Sequence, residues 1–127
     1  MAETGKKKIL VVDDEPDIVR LVDISLKLCN FDVMCAYSGP EALEKLKVEK
    51  PDLVLLDVMM PKMSGYEVCQ AIRADASLKD LPVVMLTAKG QKGDAEKGLE
   101  AGADDYIIKP FDPYELGERV SRFLQKA

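Results

Sequence analysis

Five short apolar runs recur along the chain, at Ile9–Val12, Asp32–Ala36, Leu53–Leu56, Val83–Leu86 and Tyr106–Ile108. Three of them are continuous rather than alternating, which suits parallel strands covered on both faces. Pro51 and Pro82 stand just before strand starts, where a missing N–H costs little. Helical patterns fill the intervals. Pro16 fits a first helical position, followed by a stripe of Ile18, Leu21, Val22, Leu28 and Cys29 that Ser25 interrupts. Ser38 with Glu41, and Ser64 with Glu67, have capping-box spacing. Asp112, Pro113 and Glu115 open a last helix whose apolar face is Leu116, Val120, Phe123 and Leu124. A fourth helix, near Gln91 to Ala101, has the weakest pattern. Gly90, Gly93 and Gly98 lower its propensity, and Ala95 and Leu99 alone give it an apolar face. It reads either as an inert surface element or as one that moves.

Strict alternation of strand and helix predicts a doubly wound α/β domain with a parallel sheet. Five such pairs occupy residues 8–127, and residues 1–7 read as a disordered tail with Lys6, Lys7 and Lys8 as its solvated end. A chain of 127 residues is long enough for one domain with a hydrophobic core and too short for two. No apolar run approaches the roughly 20 residues needed to span a bilayer. The tail lacks the apolar core of a signal peptide, so a cytoplasmic location is expected. The net charge of −5 disfavours direct nucleic-acid binding, because affinity for phosphate backbones comes mainly from clustered lysine and arginine. Cys29, Cys35 and Cys69 are odd in number and lack metal-ligand spacing, and are expected as buried thiols. The absence of histidine removes His-based triads and His metal sites. Chemistry must then run on carboxylates, hydroxyls, lysine and a bound cation.

Polar residues at the ends of the apolar runs are where that chemistry points. The first run leads into Asp13 and Asp14, the third into Asp57, the fourth into Thr87 and the fifth into Lys109. In an open α/β sheet ligands bind at the carboxyl ends of the strands, so one rim collects all five. Three carboxylates brought together repel, and either one takes a proton or a cation neutralises them. Acidic oxygen ligands suit Mg²⁺, with Mn²⁺ as the alternative, rather than a soft metal. An acidic nucleophile, a cation, a lysine and a hydroxyl are what phosphoryl transfer needs, since it depends on positioning and charge neutralisation. Singly, each residue is weak evidence: Asp-Asp after a strand is usually a solvated turn, and a strand-end Thr or Lys is usually a cap or an ion pair. A dinucleotide loop is excluded, because Asp-Asp-Glu-Pro stands where GxGxxG would follow the first strand.

At these residues the chain strongly resembles the receiver domain of bacterial two-component response regulators, the CheY-like family. The motif segments are Ile-Leu-Val-Val-Asp-Asp-Glu (9–15), Leu-Val-Leu-Leu-Asp-Val-Met-Met-Pro-Lys-Met-Ser-Gly (53–65), Val-Val-Met-Leu-Thr-Ala-Lys (83–89) and Gly-Ala-Asp-Asp-Tyr-Ile-Ile-Lys-Pro-Phe (102–111). The resemblance covers the chain from about Lys8 and implies a flavodoxin-like (βα)5 fold with strand order 2-1-3-4-5. It implies Asp57 as phosphoacceptor from a partner's phosphohistidine. Mg²⁺ would sit on Asp14, Asp57 and the backbone carbonyl of Met59, with Asp13 acting largely through water. Lys109 would pair with Asp57 and then with a phosphoryl oxygen, Thr87 would bond the phosphoryl group, and Tyr106 would be the aromatic switch that turns inward. The Lys109–Pro110 bond is expected to be cis, as an X-Pro turn can hold. The domain would then be a signalling switch and not a conventional enzyme.

The implied partners are a sensor histidine kinase or phosphotransfer protein, chosen by first-helix residues such as Arg20, Asp23 and Lys27, and a downstream effector domain or protein. The segment Ala103–Phe111 with Glu115, Leu116 and Arg119 resembles the branch that feeds winged-helix DNA-binding domains. In that branch active receivers pair through the fourth helix, fifth strand and fifth helix, at positions matching Asp104, Asp105 and Arg119. Ala95 stands where a basic partner for Glu115 is common, so one pair is missing unless Lys92 or Lys97 replaces it. Met59 has only a weak acceptor and cannot orient an attacking water; with Lys89 near the site, slow self-hydrolysis is expected. Two other readings differ in class. A haloacid-dehalogenase-like phosphatase would need its nucleophile after the first strand in an Asp-x-Asp-x-Thr pattern, where the sequence has Asp-Asp-Glu-Pro-Asp. A receiver-like module that only binds a partner would not need all five polar residues.

Overall fold

The computed structural model describes residues 6–88 and 97–126. Five parallel strands form one sheet: β1 (Lys8–Val12), β2 (Asp32–Ala36), β3 (Leu53–Asp57), β4 (Val83–Ala88) and β5 (Asp105–Lys109). Between and after them run α1 (Pro16–Leu28), α2 (Gly39–Val48), α3 (Gly65–Ala74) and α5 (Pro113–Lys126). The helical residues 97–100, just before the turn into β5, are labelled α4. The remainder of the expected fourth helix, with Ala95 and Lys92, lies outside the described residues, as do Lys89 and residues 1–5 of the expected tail.

The strand order is β2-β1-β3-β4-β5, as the resemblance implies. The β1–β3 register sets Val12 beside Leu56, and the β3–β4 register sets Asp57 beside Leu86. Successive side chains of a strand point to opposite faces, and that alternation splits the core in two. Leu10, Val12, Val54, Leu56, Val83 and Met85 pack under α2 and α3 with Ala42, Leu46, Val68 and Ile72. Ile9, Val11, Leu53, Leu55, Val84 and Leu86 pack under α1 and α5 with Val19, Val22, Leu26, Leu116 and Val120. All three inner strands are buried along the apolar runs predicted for them, while β2 and β5, at the two edges, are only partly covered.

Three local expectations change. Lys8 is not part of a solvated tail. It is the first residue of β1, half-buried, with its N–H on Asp52 Oδ2 at 2.7 Å and its ammonium paired with Glu49. The inward face of α1 is Val19, Val22, Ser25 and Leu26, whereas Leu21 and Leu28 of the expected stripe lie out in the open. Ser25 is buried because its hydroxyl donates to the carbonyl of Pro113 at the start of α5, which removes the penalty of burying an unpaired polar group. The cysteines are all free thiols, but only Cys69 is fully buried; Cys29 and Cys35 are half-buried.

The helix starts follow their capping residues. Ser64 and Glu67 form a reciprocal box, Ser64 Oγ accepting from Glu67 N and Glu67 Oε1 from Ser64 N. At α2 the Ser38 hydroxyl accepts from Glu41 N, but the Glu41 carboxylate takes the N–H of Tyr37, one residue earlier than a box requires. Asp112 caps α5 by accepting from Tyr114 N at 2.8 Å.

Candidate phosphoryl-acceptor site

A parallel sheet brings every strand end of the same sense to one rim, and the five predicted polar residues follow from that. β1 runs out at Asp13, whose N–H donates to Ala36 O of β2 at 3.2 Å. Its Oδ1 then accepts from Glu15 N at 3.0 Å, a tight turn that releases the chain into α1. Asp57 ends the fully buried β3. Thr87 is the penultimate residue of β4, and Lys109 ends β5 with a cis peptide to Pro110, as expected.

Asp13 is wholly buried, Asp57 is 4% exposed and Thr87 2% exposed. Asp13, Asp14 and Asp57 each bring a carboxylate oxygen within 4.8 Å of the others. Lys109 Nζ reaches into this group, donating to Asp13 Oδ2 at 3.0 Å and to Asp57 Oδ1 at 3.1 Å. The sequence reading paired Lys109 with Asp57 alone; in the fold it bridges both carboxylates. The Thr87 hydroxyl is buried at the same rim.

The electrostatics follow from crowding. Burial, and then the negative charge of Asp13, push the Asp57 carboxyl up to about 6, against the pull of Lys109. Burial alone would lower the Lys109 ammonium, but its hydrogen bonds and charge contacts with Asp13 and Asp57 outweigh that and raise it. Three carboxylates and one ammonium leave two net negative charges when all are ionised. The donor set fits a hard divalent cation. Every donor is an oxygen, and the three lie within 4.8 Å of one another, a span that a small inward shift would close to about 4.2 Å, the most that oxygens sharing one Mg²⁺ at about 2.1 Å allow. Asp57 supplies a nucleophilic oxygen, Lys109 a fixed positive charge and Thr87 a hydroxyl.

The start of α3 is built against this site, which the sequence reading did not single out. Gly65 N donates to Val58 O at 3.0 Å. A Cβ at residue 65 would stand 2.3 Å from the carbonyl oxygen of Asp57, so only glycine lets the helix approach the backbone of Asp57 this closely. The Ser-Gly pair at the end of the 53–65 segment was the available signal. Met59 lies two residues past Asp57 and is 68% exposed.

Tyr106 is half-buried and packs against the core cluster beneath α3. Its carbonyl accepts from Arg119 Nη2 at 3.3 Å, and its N–H donates to Asp105 Oδ1 at 2.8 Å. Asp104, expected in a pair across subunits, is bound within the chain by Arg73 Nη2 at 3.0 Å. Among the described residues no helix is long and apolar enough to cross a membrane.

Comparison with known proteins agrees with this geometry. A family model described as the response regulator receiver domain matches residues 9–121. The chain is similar to the alkaline phosphatase synthesis transcriptional regulatory protein PhoP of Bacillus subtilis, at 50% identity over 95% of this chain and 50% of that protein. It is also similar to the DNA-binding response regulator MtrA of Mycolicibacterium smegmatis, at 45% identity over 98% of this chain and 53% of that one. The chain thus spans about half the length of the curated relatives it matches. Among solved structures, the chemotaxis response regulator CheY4 of Vibrio cholerae superposes with a TM-score of 0.86 at 33% identity, covering 93% of this chain and 98% of that one. The receiver domain of NtrX from Brucella abortus gives 0.86 at 32% identity, over 94% and 99%.

Proposed function

Since the chain belongs to the response regulator receiver family, we propose that it is a phosphorylation switch in which Asp57 accepts a phosphoryl group from a partner's phosphohistidine. The observation that carries this reading is Lys109 held on both Asp13 and Asp57 at 3.0 and 3.1 Å, in a pocket where three carboxylates converge.

Asp57 Oδ attacks phosphorus, the bond from phosphorus to the imidazole nitrogen breaks, and the electron pair of that bond stays on the imidazole. Asp14 and Asp57, with the carbonyl of Met59, are the residues that would hold Mg²⁺, or Mn²⁺ in its place, with Asp13 beside them; the ion would supply charge neutralisation to the transferring group. Asp57 must be ionised to attack, and Lys109 opposes the burial and Asp13 repulsion that favour its neutral form. When the phosphoryl group arrives, Lys109 can exchange the Asp57 oxygen for a phosphoryl oxygen without leaving Asp13. The Thr87 hydroxyl turns toward the new acceptor oxygens, and Tyr106 follows into the space that Thr87 vacates. Added charge and acceptor oxygens thus bias a two-state element, here the segment from α4 through β5 to α5. Met59 offers no hydrogen bond to orient a hydrolytic water, so the aspartyl phosphate persists for minutes or longer. The domain catalyses only its own phosphorylation and slow dephosphorylation.

The partners are a sensor histidine kinase or phosphotransfer protein and a downstream effector domain or protein, met in the cytoplasm. One relative named a transcriptional regulatory protein and one named a DNA-binding response regulator support an output in transcription; the route proposed is pairing of activated copies at the face of α4, β5 and α5. The test is incubation with acetyl phosphate and Mg²⁺, followed by intact mass and peptide mapping. One phosphoryl group on Asp57, abolished by Asp57→Asn and by chelation of the metal, is the expected result. A label carried by Asp13 would replace this reading with the phosphatase one, and no label at all with that of a partner-binding module.

A further inference from the structure

β5 is tied at both ends. Its carboxyl end is Lys109, seated on the acidic pocket. Its amino end is held by a side chain from another element, Arg73 near the end of α3. Arg73 Nε donates to Gly102 O at 2.9 Å, Nη1 to Leu81 O at 2.6 Å and to Lys79 O at 3.1 Å, and Nη2 to Asp104 Oδ2 at 3.0 Å. The same Asp104 oxygen accepts from Val83 N at 2.9 Å, and Asp104 N donates to Val83 O at 2.8 Å. One planar guanidinium therefore joins α3, the loop from α3 to β4, the first residue of β4 and the turn into β5.

The turn is shaped to admit it. Gly102 has a φ of +111°, and a Cβ there would stand 2.8 Å from Arg73 Cγ. The side chain is 23% exposed, so its bonds are partly sheltered from water, and bonds from a charged donor are stronger than neutral ones. Lysine could not replace it, because a single ammonium cannot serve four acceptors spread around a plane.

We propose that Arg73 is a positioning residue for the switch: its guanidinium fixes the amino end of β5, so that a change at Asp57, felt at Lys109, is expressed at Tyr106. The inference rests on the proposed phosphorylation of Asp57. The mechanical argument is short. At about 3.3 Å per residue, Lys109 lies roughly 10 Å along the strand from Tyr106. Among the described residues β5 has a hydrogen-bonded strand on one side only. A strand held at its amino end by its ladder to β4 alone would follow a pull on Lys109 more nearly as a unit and carry Tyr106 and its surroundings with it. A strand anchored one residue before Asp105 must instead change conformation between the anchor and the pull, and Tyr106 lies in that interval.

The experiment reads the two ends separately in the full chain. Beryllofluoride with Mg²⁺ serves as the phosphoryl mimic. Its uptake is followed by fluorine NMR, and the response of Tyr106 by the NMR signal of its labelled ring, assigned with Tyr106→Phe. Wild type is expected to bind the mimic and shift the Tyr106 signal. Arg73→Ala and Asp104→Asn are expected to bind it within about twofold of wild type, yet to lose the Tyr106 shift by about threefold or more, as a population change of this kind predicts. Should Arg73→Ala not fold, Arg73→Lys keeps the charge and stem and gives the same contrast. Ile72→Val, one residue away in the buried face of α3, controls for stability loss and keeps the full shift. A full Tyr106 shift in the Arg73 variants would make the residue merely structural and overturn the proposal, as would wild type that binds the mimic without moving Tyr106. No uptake by wild type would instead remove the functional reading beneath it.

Discussion

Replacing Asp57 should make the metal-free protein more stable at neutral pH. Asp57 is 4% exposed, and burial with the nearby charge of Asp13 raises its carboxyl from 3.8 to about 6. Between those values the folded state holds a proton that the unfolded state has released. Stability contributed by the neutral acid is therefore present below about pH 4 and is lost as pH rises through 6. At 1.36 kcal/mol per pH unit, the loss amounts to about 3 kcal/mol above pH 7. Asn is close in shape to the neutral carboxylic acid and does not ionise, so Asp57→Asn should avoid that loss. The expected gain is about 3 kcal/mol at pH 7.5, or roughly 10 °C in Tm for a domain of this size. It should shrink toward zero near pH 4, where both proteins are neutral at this position. Urea titrations of the two proteins at a series of pH values, with chelator present, measure the difference directly. A variant that is less stable than wild type at pH 7.5, or a gap that does not change with pH, would refute the electrostatic account of the pocket.

Other expectations follow from the same geometry. Saturating Mg²⁺ should stabilise wild type by about 3 kcal/mol at a hundredfold excess over Kd, and Asp13→Asn should reduce that gain; calorimetric scans with and without the ion check it. Lys109→Met keeps the apolar stem and removes the charge that opposes burial, so carbon-detected NMR titration should place the Asp57 carboxyl higher than about 6, with slower uptake of acetyl phosphate at pH 7. Gly65→Ala forces a Cβ to within 2.3 Å of the Asp57 carbonyl. It should cost about 2 kcal/mol or more by denaturant titration, as overpacking against backbone does, and weaken Mg²⁺ binding. Ser64→Ala, which breaks the capping box alone, should cost about 1 kcal/mol with little effect on Mg²⁺ affinity.

What could be read from the sequence, and what could not, divides on the range of the interaction. Asp13, Asp14, Asp57, Thr87 and Lys109 come together because parallel strands end on one rim, and that rule needs only the positions of the apolar runs. The helix starts at Ser38, Ser64 and Asp112 are local in the same sense, each decided within four residues. The inward face of α1 is a different problem. Ile18, Val19, Leu21, Val22, Ile24, Leu26 and Leu28 offer apolar residues around much of the helix, so periodicity alone does not select a face. The face chosen buries Val19, Val22 and Leu26 in the core and takes in Ser25, which looks polar in isolation and is satisfied by the carbonyl of Pro113, 88 residues away. Arg73 is harder still. Nothing near it in the sequence separates it from a solvated lysine or arginine, since its four acceptors come from two loops and a carboxylate that only the fold assembles.

The order of the strands has one more consequence. Asp57 ends β3, which is laced to a neighbour along both sides, whereas among the described residues β5 has a strand on one flank alone. Shifting Asp57 would mean tearing two ladders at once; shifting β5 strains one. A modification carried by Asp57, as proposed, would therefore load the stiff middle of the sheet while the mechanical yield falls at its margin, and the central ladders would stay whole through it.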